Sequence, residues 1–147
     1  MAITETLRNP LSMFDVKGKV AVITGASGAF GRACALSLGA LGGKLVLASG
    51  NLEELDAVLA EVIEVGGEAV AVNRRPDSLE DAEAIRDAGV EAFGSIDQLV
   101  IASGTNKAGF IHEMDYEDWQ EVMDANVRGA WLMAKTVGGY WIENEIK

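Results

Sequence analysis

The sequence feature that most constrains the fold is the stretch Val20 to Gly31, Val-Ala-Val-Ile-Thr-Gly-Ala-Ser-Gly-Ala-Phe-Gly. Four successive apolar residues, Val20 to Ile23, predict a strand buried on both faces. A glycine-rich turn follows, and a helix opens around Ala29. Strand, glycine turn and helix start, in that order, form the context that a dinucleotide-binding fingerprint requires. The first N–H groups of a helix lack partners and carry the positive end of its dipole, so a diphosphate is stabilised there. Glycine lets the backbone turn sharply and approach the phosphates. A tight strand-to-helix connection that binds nothing has the same local sequence, so the rest of the chain decides between the two.

The alternation continues. The helix after the glycine turn places Phe30, Ala33, Cys34, Ser37 and Leu41 on one face by helical spacing, and Gly42-Gly43 ends it. Leu45 to Ala48 reads as a second buried strand. Asn51 caps a helix with Leu52, Leu55, Val58, Leu59, Val62 and Ile63 inward and a row of acids outward, closed by Gly66-Gly67. Ala69 to Val72 is a third strand. Ser78 caps the next helix, with Asp81 in the place of a capping-box acid, and Ile85, Gly89, Ala92 and Phe93 face its core. Leu99 to Ala102 is a fourth strand. A loop from Ser103 to Met114 leads to Asp115, which caps a long helix from Tyr116 to Asn144. There Trp119, Val122, Met123, Asn126, Val127, Ala130 and Ala134 share a face, so Asn126 is expected as a buried amide in need of partners.

Four short strands alternating with helices predict an α/β fold, a doubly wound parallel sheet with helices on both faces. Right-handed crossovers give the strand order 3-2-1-4, with a crevice between strands one and four at the carboxyl ends. The turns at Gly25–Gly31 and Ser103–Gly104 both open there. A chain of 147 residues supports one such domain: an arm over residues 1–13 and a dinucleotide-binding domain over 14–147.

Charge and cysteine content narrow the partners. A net charge of −11 argues against nucleic acid and anionic membranes. The single cysteine, Cys34, allows no internal disulfide, which fits a reducing cytoplasm. No apolar run is long enough to span a bilayer. The one histidine, His112, has no cysteine or second histidine beside it, so no metal site is expected. Trp131, Met133, Trp141 and Ile142 put apolar area on the last helix and predict self-association.

The spacing Thr24-Gly25-x-x-x-Ala29-x-Gly31 resembles the Thr-Gly-x-x-x-Gly-x-Gly turn of the short-chain dehydrogenase/reductase family, with alanine at the middle glycine. The segment Asp124-Ala125-Asn126-Val127-Arg128-Gly129-Ala130 is similar to the family's active-site asparagine region. The family's Asn-Asn-Ala-Gly segment falls on Ile101-Ala102-Ser103-Gly104, where only Gly104 matches. The chain thus resembles the N-terminal, cofactor-binding half of a family member from Phe14 onward, with a Rossmann-like fold incomplete relative to the whole. The resemblance implies NADP or NAD held at Gly25, Ser27, Gly28, Ala29, Phe30, Gly31, Ser49, Gly50, Ala102, Ser103 and Gly104. It implies Asn126 as a catalytic residue holding a water in a proton relay. It implies hydride transfer between NAD(P) and a small alcohol or carbonyl substrate, and a homo-oligomer built through the long C-terminal helix.

Departures from the family pattern leave alternatives open. The catalytic Tyr-x-x-x-Lys is absent: Tyr116 is followed four residues on by Gln120, and Tyr140 by Asn144. These 147 residues are therefore expected not to transfer hydride alone. Strand two ends Ala48-Ser49-Gly50, with no carboxylate for the ribose hydroxyls, which tilts the expectation to NADP over NAD. Arg32, at the start of the first helix, is within reach of a phosphate. Arg75 takes the place of an adenine-binding aspartate. A non-catalytic nucleotide-binding protein and an assembly protein with a degenerate Rossmann fold both fit these departures.

Overall fold

The computed structural model describes residues 8–146. The expected arm falls largely outside them, and its described part leads into a 3-10 turn, Pro10–Phe14, that buries no residue. Four strands form one parallel sheet: β1 (Val20–Thr24), β2 (Lys44–Ala48), β3 (Glu68–Val72) and β4 (Gln98–Ile101). Their order is β3-β2-β1-β4, the order that right-handed crossovers predict. Thr24 sits level with Ala48 on one side and Ile101 on the other, so three strands end at one rim.

The helices are α1 (Ala29–Ala40), α2 (Leu52–Glu64), α3 (Leu79–Phe93), α4 (Tyr116–Met123) and α5 (Gly129–Glu143). Alternation along the strands divides the core in two. Ala21, Ile23, Leu45 and Leu47 point to one face and pack with Ala35, Leu55, Val58 and Val62 of α1 and α2. Val22, Val46 and Ala48 point to the other and pack with Ala82, Ile85, Leu132, Met133 and Val137 of α3 and α5. Both faces of β1 and β2 are therefore covered, which is why those strands read as unbroken apolar runs.

The caps of α2 and α3 form as expected, with Asn51 accepting from the Glu54 N–H and Ser78 from the Asp81 N–H. Asp115 stands at the start of α4, but its side chain makes no capping bond.

Three face assignments differ from expectation. In α1 the buried residues are Gly31, Ala35 and Gly39, and Phe30 is 87% exposed. Large side chains of β1 and β2 already fill the space beneath α1, so the helix turns its small residues inward. Phe30, Ala33, Ser37 and Leu41 consequently face out, and Cys34 is half-buried. In α2, Leu52 and Ile63 are exposed while Leu55, Val58 and Val62 form the contact. In α3, Ala92 is exposed while Ile85 and Gly89 are buried.

A fourth difference bears on the site. The expected long helix is interrupted by one π-helical segment, Asp124–Arg128, between α4 and α5. The wider turn inserts one residue into the helical count and rotates the two halves relative to each other. The inward stripe of α5 becomes Gly129, Leu132, Met133, Thr136 and Val137. Trp119, Asn126, Val127 and Ala134 are exposed instead of sharing a buried face. Met133 and Trp141 are likewise drawn into packing, Trp141 donating from Nε1 to the Ile96 carbonyl at 2.7 Å, whereas Trp131 and Ile142 stay outside.

Candidate functional site

The strands end at a cleft of about 390 Å³, within the range of small-ligand sites. Gly25, Ser27 and Gly28 line it from the β1–α1 turn, Ser49 and Gly50 from the end of β2, and Ala102, Ser103 and Gly104 from the end of β4. Eight of the eleven residues expected at a cofactor thus meet in one place. Residues from distant parts of the chain arrive together because parallel strands all end on the same side.

The β1–α1 turn is built by close backbone contacts. Gly25 has φ +67°, and a Cβ there would fall 2.6 Å from the Ala102 carbonyl oxygen and the Ser103 backbone. A Cβ on Gly31 would fall 2.1 Å from the Gly25 carbonyl oxygen. Only glycine fits either position. The turn is tied to the sheet by Ala26 N–H to the Ala48 carbonyl at 3.1 Å. Hydroxyl pairs join the three loops: Thr24 with Ser103 at 2.9 Å and Ser27 with Ser49 at 2.7 Å.

Ala29, Phe30 and Gly31, also expected at the cofactor, are not among the residues that line the cleft. Phe30 projects outward and Gly31 is buried under the turn. What they present next to the cleft is backbone. Gly28, the N-cap, offers no side chain, and among the described residues the N–H groups of Ala29, Phe30 and Gly31 make no hydrogen bond. Three aligned donors at the positive end of α1 remain free for an anion.

Ser49 is 7% exposed, and its hydroxyl is engaged with Ser27 and with the Asn51 N–H at 3.3 Å. Its role is to shape the turn rather than to offer a free donor. Arg32 points away from the cleft: Nε and Nη2 donate to Glu61 at 2.6 and 2.7 Å. That pairing raises the guanidinium pKa and lowers that of the Glu61 carboxyl, the side-chain hydrogen bond being the main cause of both shifts. Cys34 is held protonated by burial, which raises its pKa and suits packing rather than chemistry.

Asn126 stands outside the lining, with its π-segment neighbour Ala125 and with Gly129 against the cleft. Its side chain bonds the Thr105 peptide in both directions, and Gly104 makes room for it, since a Cβ there would fall 2.7 Å from Asn126 Oδ1. Lys107 pairs with Asp118 and Glu121 at 2.6 Å each, fastening the loop after β4 to α4; its pKa is raised, chiefly by the hydrogen bond to Asp118. Tyr116 donates its hydroxyl to Gln120 Oε1 at 2.9 Å, so its partner four residues on is a neutral amide and not a lysine.

Sequence reasoning did not place Pro76, Ala125 and Gly129 at the cleft. β3 lies two strands from the crevice, yet its following loop reaches back to it. Gly129, one helical turn beyond Ala125, was the available signal: a Cβ there would fall 3.3 Å from the Pro76 carbonyl oxygen.

A family model described as short chain dehydrogenase matches residues 19–146. An uncharacterised oxidoreductase of Mycobacterium tuberculosis is 42% identical over 97% of this chain and 53% of its own length. A 3-oxoacyl-[acyl-carrier-protein] reductase of Synechocystis is 36% identical over 85% of this chain and 51% of its own. Glucose 1-dehydrogenase 2 of Bacillus subtilis is 36% identical over 90% and 52%. Among solved structures, a short-chain type dehydrogenase/reductase from Mycobacterium marinum superposes with a TM-score of 0.87 at 28% identity, covering 91% of this chain and 54% of that one. A short chain dehydrogenase from Mycobacterium avium gives 0.84 at 28%, covering 88% and 49%. The chain spans about half the length of the curated relatives it matches.

Proposed function

The chain belongs to the short chain dehydrogenase family, and from that premise we propose that it is the cofactor-binding half of an NAD(P)-dependent oxidoreductase. The whole enzyme would act on a small alcohol or carbonyl compound. The observation that carries the reading is the set of free N–H groups at Ala29, Phe30 and Gly31, in a turn that only glycine at 25 and 31 can form. The site fits a nicotinamide dinucleotide. The α1 amides and Gly28 hold the diphosphate, Ser27, Ser49 and Gly50 border the adenosine ribose, and Ala102, Ser103 and Gly104 border the other half. When bound, such a cofactor supplies hydride acceptance or donation.

What the chain's own residues do is bind, orient and space. Asn126 sets the loop at residues 104–105, and the proton-relay role implied by the resemblance belongs to the same proposal. No Tyr-x-x-x-Lys is present in the sequence, so these residues bind cofactor without turning it over. NADP is favoured over NAD, because the end of β2 carries no carboxylate to repel a 2′-phosphate. Self-association is part of the proposal, through α5, where Trp131 is 58% and Ile142 82% exposed. A cytoplasmic location fits the single half-buried thiol. Among the described residues, no helix is long and apolar enough to cross a membrane.

Calorimetric titration of the chain with NADPH and NADH tests the reading. Saturable binding without turnover is the expected result. Binding of neither nucleotide would leave the chain as an assembly protein with an idle cleft, and detectable turnover would refute the assignment of a binding half.

A further inference from the structure

Beyond Ser49 the cleft is bounded on one side by Gly50 and on the other by the loop after β3, which brings Arg74 and Arg75 to the rim. The two arginines are not equivalent. Arg74 is committed to Asp81, with Nη1 donating at 2.6 Å. Arg75 is more than half exposed, and its nearest carboxylate, Asp77, lies 3.7 Å from Nε. Its guanidinium makes no hydrogen bond among the described residues. A loose pair of that kind in open water contributes little and is easily exchanged.

The Arg75 stem lies across Gly50. A Cβ at position 50 would fall 2.8 Å from Arg75 Cδ and 2.9 Å from Cγ. The crossing therefore exists because residue 50 has no side chain. It brings a planar cation to the end of β2, the place where a bound dinucleotide presents its adenosine ribose. The Ser49 hydroxyl is already engaged, whereas the Arg75 guanidinium makes no hydrogen bond among the described residues and can read a substituent there.

We infer that Arg75, laid over Gly50, is the specificity determinant for a phosphomonoester on the ribose of an adenine nucleotide. The inference rests on the nucleotide reading of the cleft and deepens it. A guanidinium offers a phosphate two parallel N–H donors, a geometry that a ribose hydroxyl cannot use as fully. Asp77 is the internal competitor that the phosphate displaces. Gly50 acts through Arg75, as a positioning residue.

The test is calorimetric titration of the full chain with adenosine 2′,5′-bisphosphate and with adenosine 5′-monophosphate, for wild type, Arg75→Met, Arg75→Lys and Gly50→Ala. Wild type is expected to bind the bisphosphate about tenfold tighter or more. Arg75→Met, which keeps the stem, removes that preference by weakening the bisphosphate alone, and Arg75→Lys retains part of it. Gly50→Ala also lowers the preference with an unchanged melting temperature, since the atoms its Cβ meets belong to a flexible side chain. Equal loss for both ligands in Arg75→Met would mean that the guanidinium stacks on the base, and would overturn the inference, as would an unchanged preference. Binding of neither ligand by wild type would overturn the nucleotide reading itself, and this inference with it.

Discussion

Asn126 and Thr105 are joined by two hydrogen bonds: Asn126 Oδ1 accepts the Thr105 N–H and Asn126 Nδ2 donates to the Thr105 carbonyl, each at 2.9 Å. The side-chain amide thus pairs with a peptide unit as a neighbouring strand would. The π segment Asp124–Arg128 sets Asn126 facing that loop. Asn126→Ala, which loses both bonds, is expected to lower unfolding free energy by about 1–2 kcal/mol, the low end because the pair is exposed. Asn126→Asp keeps the acceptor but sets a carboxylate oxygen against the Thr105 carbonyl, and is expected to cost at least as much. Urea unfolding measures both. Wild-type midpoints for the two variants would mean that the bracket does not hold the loop.

Gly31 and Gly28 give a paired prediction, because both face the Gly25 carbonyl oxygen at different distances. A Cβ would approach it to 2.1 Å from Gly31 but only to 3.3 Å from Gly28. The obstacle at Gly31 is backbone, which cannot swing aside. Gly31→Ala is expected to cost about 3 kcal/mol or more and to abolish nucleotide binding, since overpacking of a rigid site lies at the upper end of its usual range. Gly28→Ala requires a shift of a few tenths of an ångström, with a loss of about 1 kcal/mol or less. Thermal melts and an NADPH titration on the two variants separate them. Similar behaviour of both would mean that the turn is less confined than its geometry indicates.

Much of this architecture was legible because it follows from period and connection. Val20–Ile23 read as a strand buried on both sides, and it is one. The order 3-2-1-4 follows from right-handed crossovers alone. The faces of α1 and of the last helix were not legible, for two physical reasons. Helical spacing identifies which residues share a face, but not how closely the helix approaches the sheet, and at short range the inward stripe is Gly31, Ala35 and Gly39 rather than Phe30 and Leu41. A single π turn shifts every later residue by one place, and nothing local in Asp124–Arg128 announces it. At the cleft, the glycine positions were readable from their spacing. The Ser27–Ser49 pair and the Arg75 stem over Gly50 were not, since they join side chains from different loops whose directions only the packed sheet fixes.

Asp81 gives a pH prediction. Its carboxylate accepts from the Ser78 hydroxyl at 2.6 Å and from Arg74 Nη1 at 2.6 Å. These bonds, the Ser78 hydroxyl first, hold its pKa below the ordinary aspartate value. A carboxyl whose folded pKa is depressed contributes stability above its unfolded pKa, and that contribution is lost as pH falls through the folded value. Asp81→Asn should therefore melt below wild type at neutral pH. The gap should close as pH drops below about 4. A melting difference that is constant across that window would show that the charge on Asp81 does not stabilise the start of α3.

The outer face of α5 carries the last prediction. Trp131 and Ile142 lie three helical turns apart and so point the same way, with Ala134 and Gly138 between them; a Cβ on Gly138 would meet nothing within 4 Å. Small residues between two large apolar ones leave a face that a second helix can approach closely. Lys135 stands 5.0 Å over the Trp131 ring, which shields one side of the indole and leaves the rest of its surface in water. If this face mediates the proposed self-association, sedimentation velocity will show a concentration-dependent dimer or larger species for wild type. Trp131→Glu, which places a charge in the contact, should give a monomer with little change in unfolding free energy, because the side chain is already 58% exposed. A wild-type chain that sediments as a monomer at high concentration would remove the oligomeric part of the proposal and leave the nucleotide cleft untouched, since no residue of that face lines it.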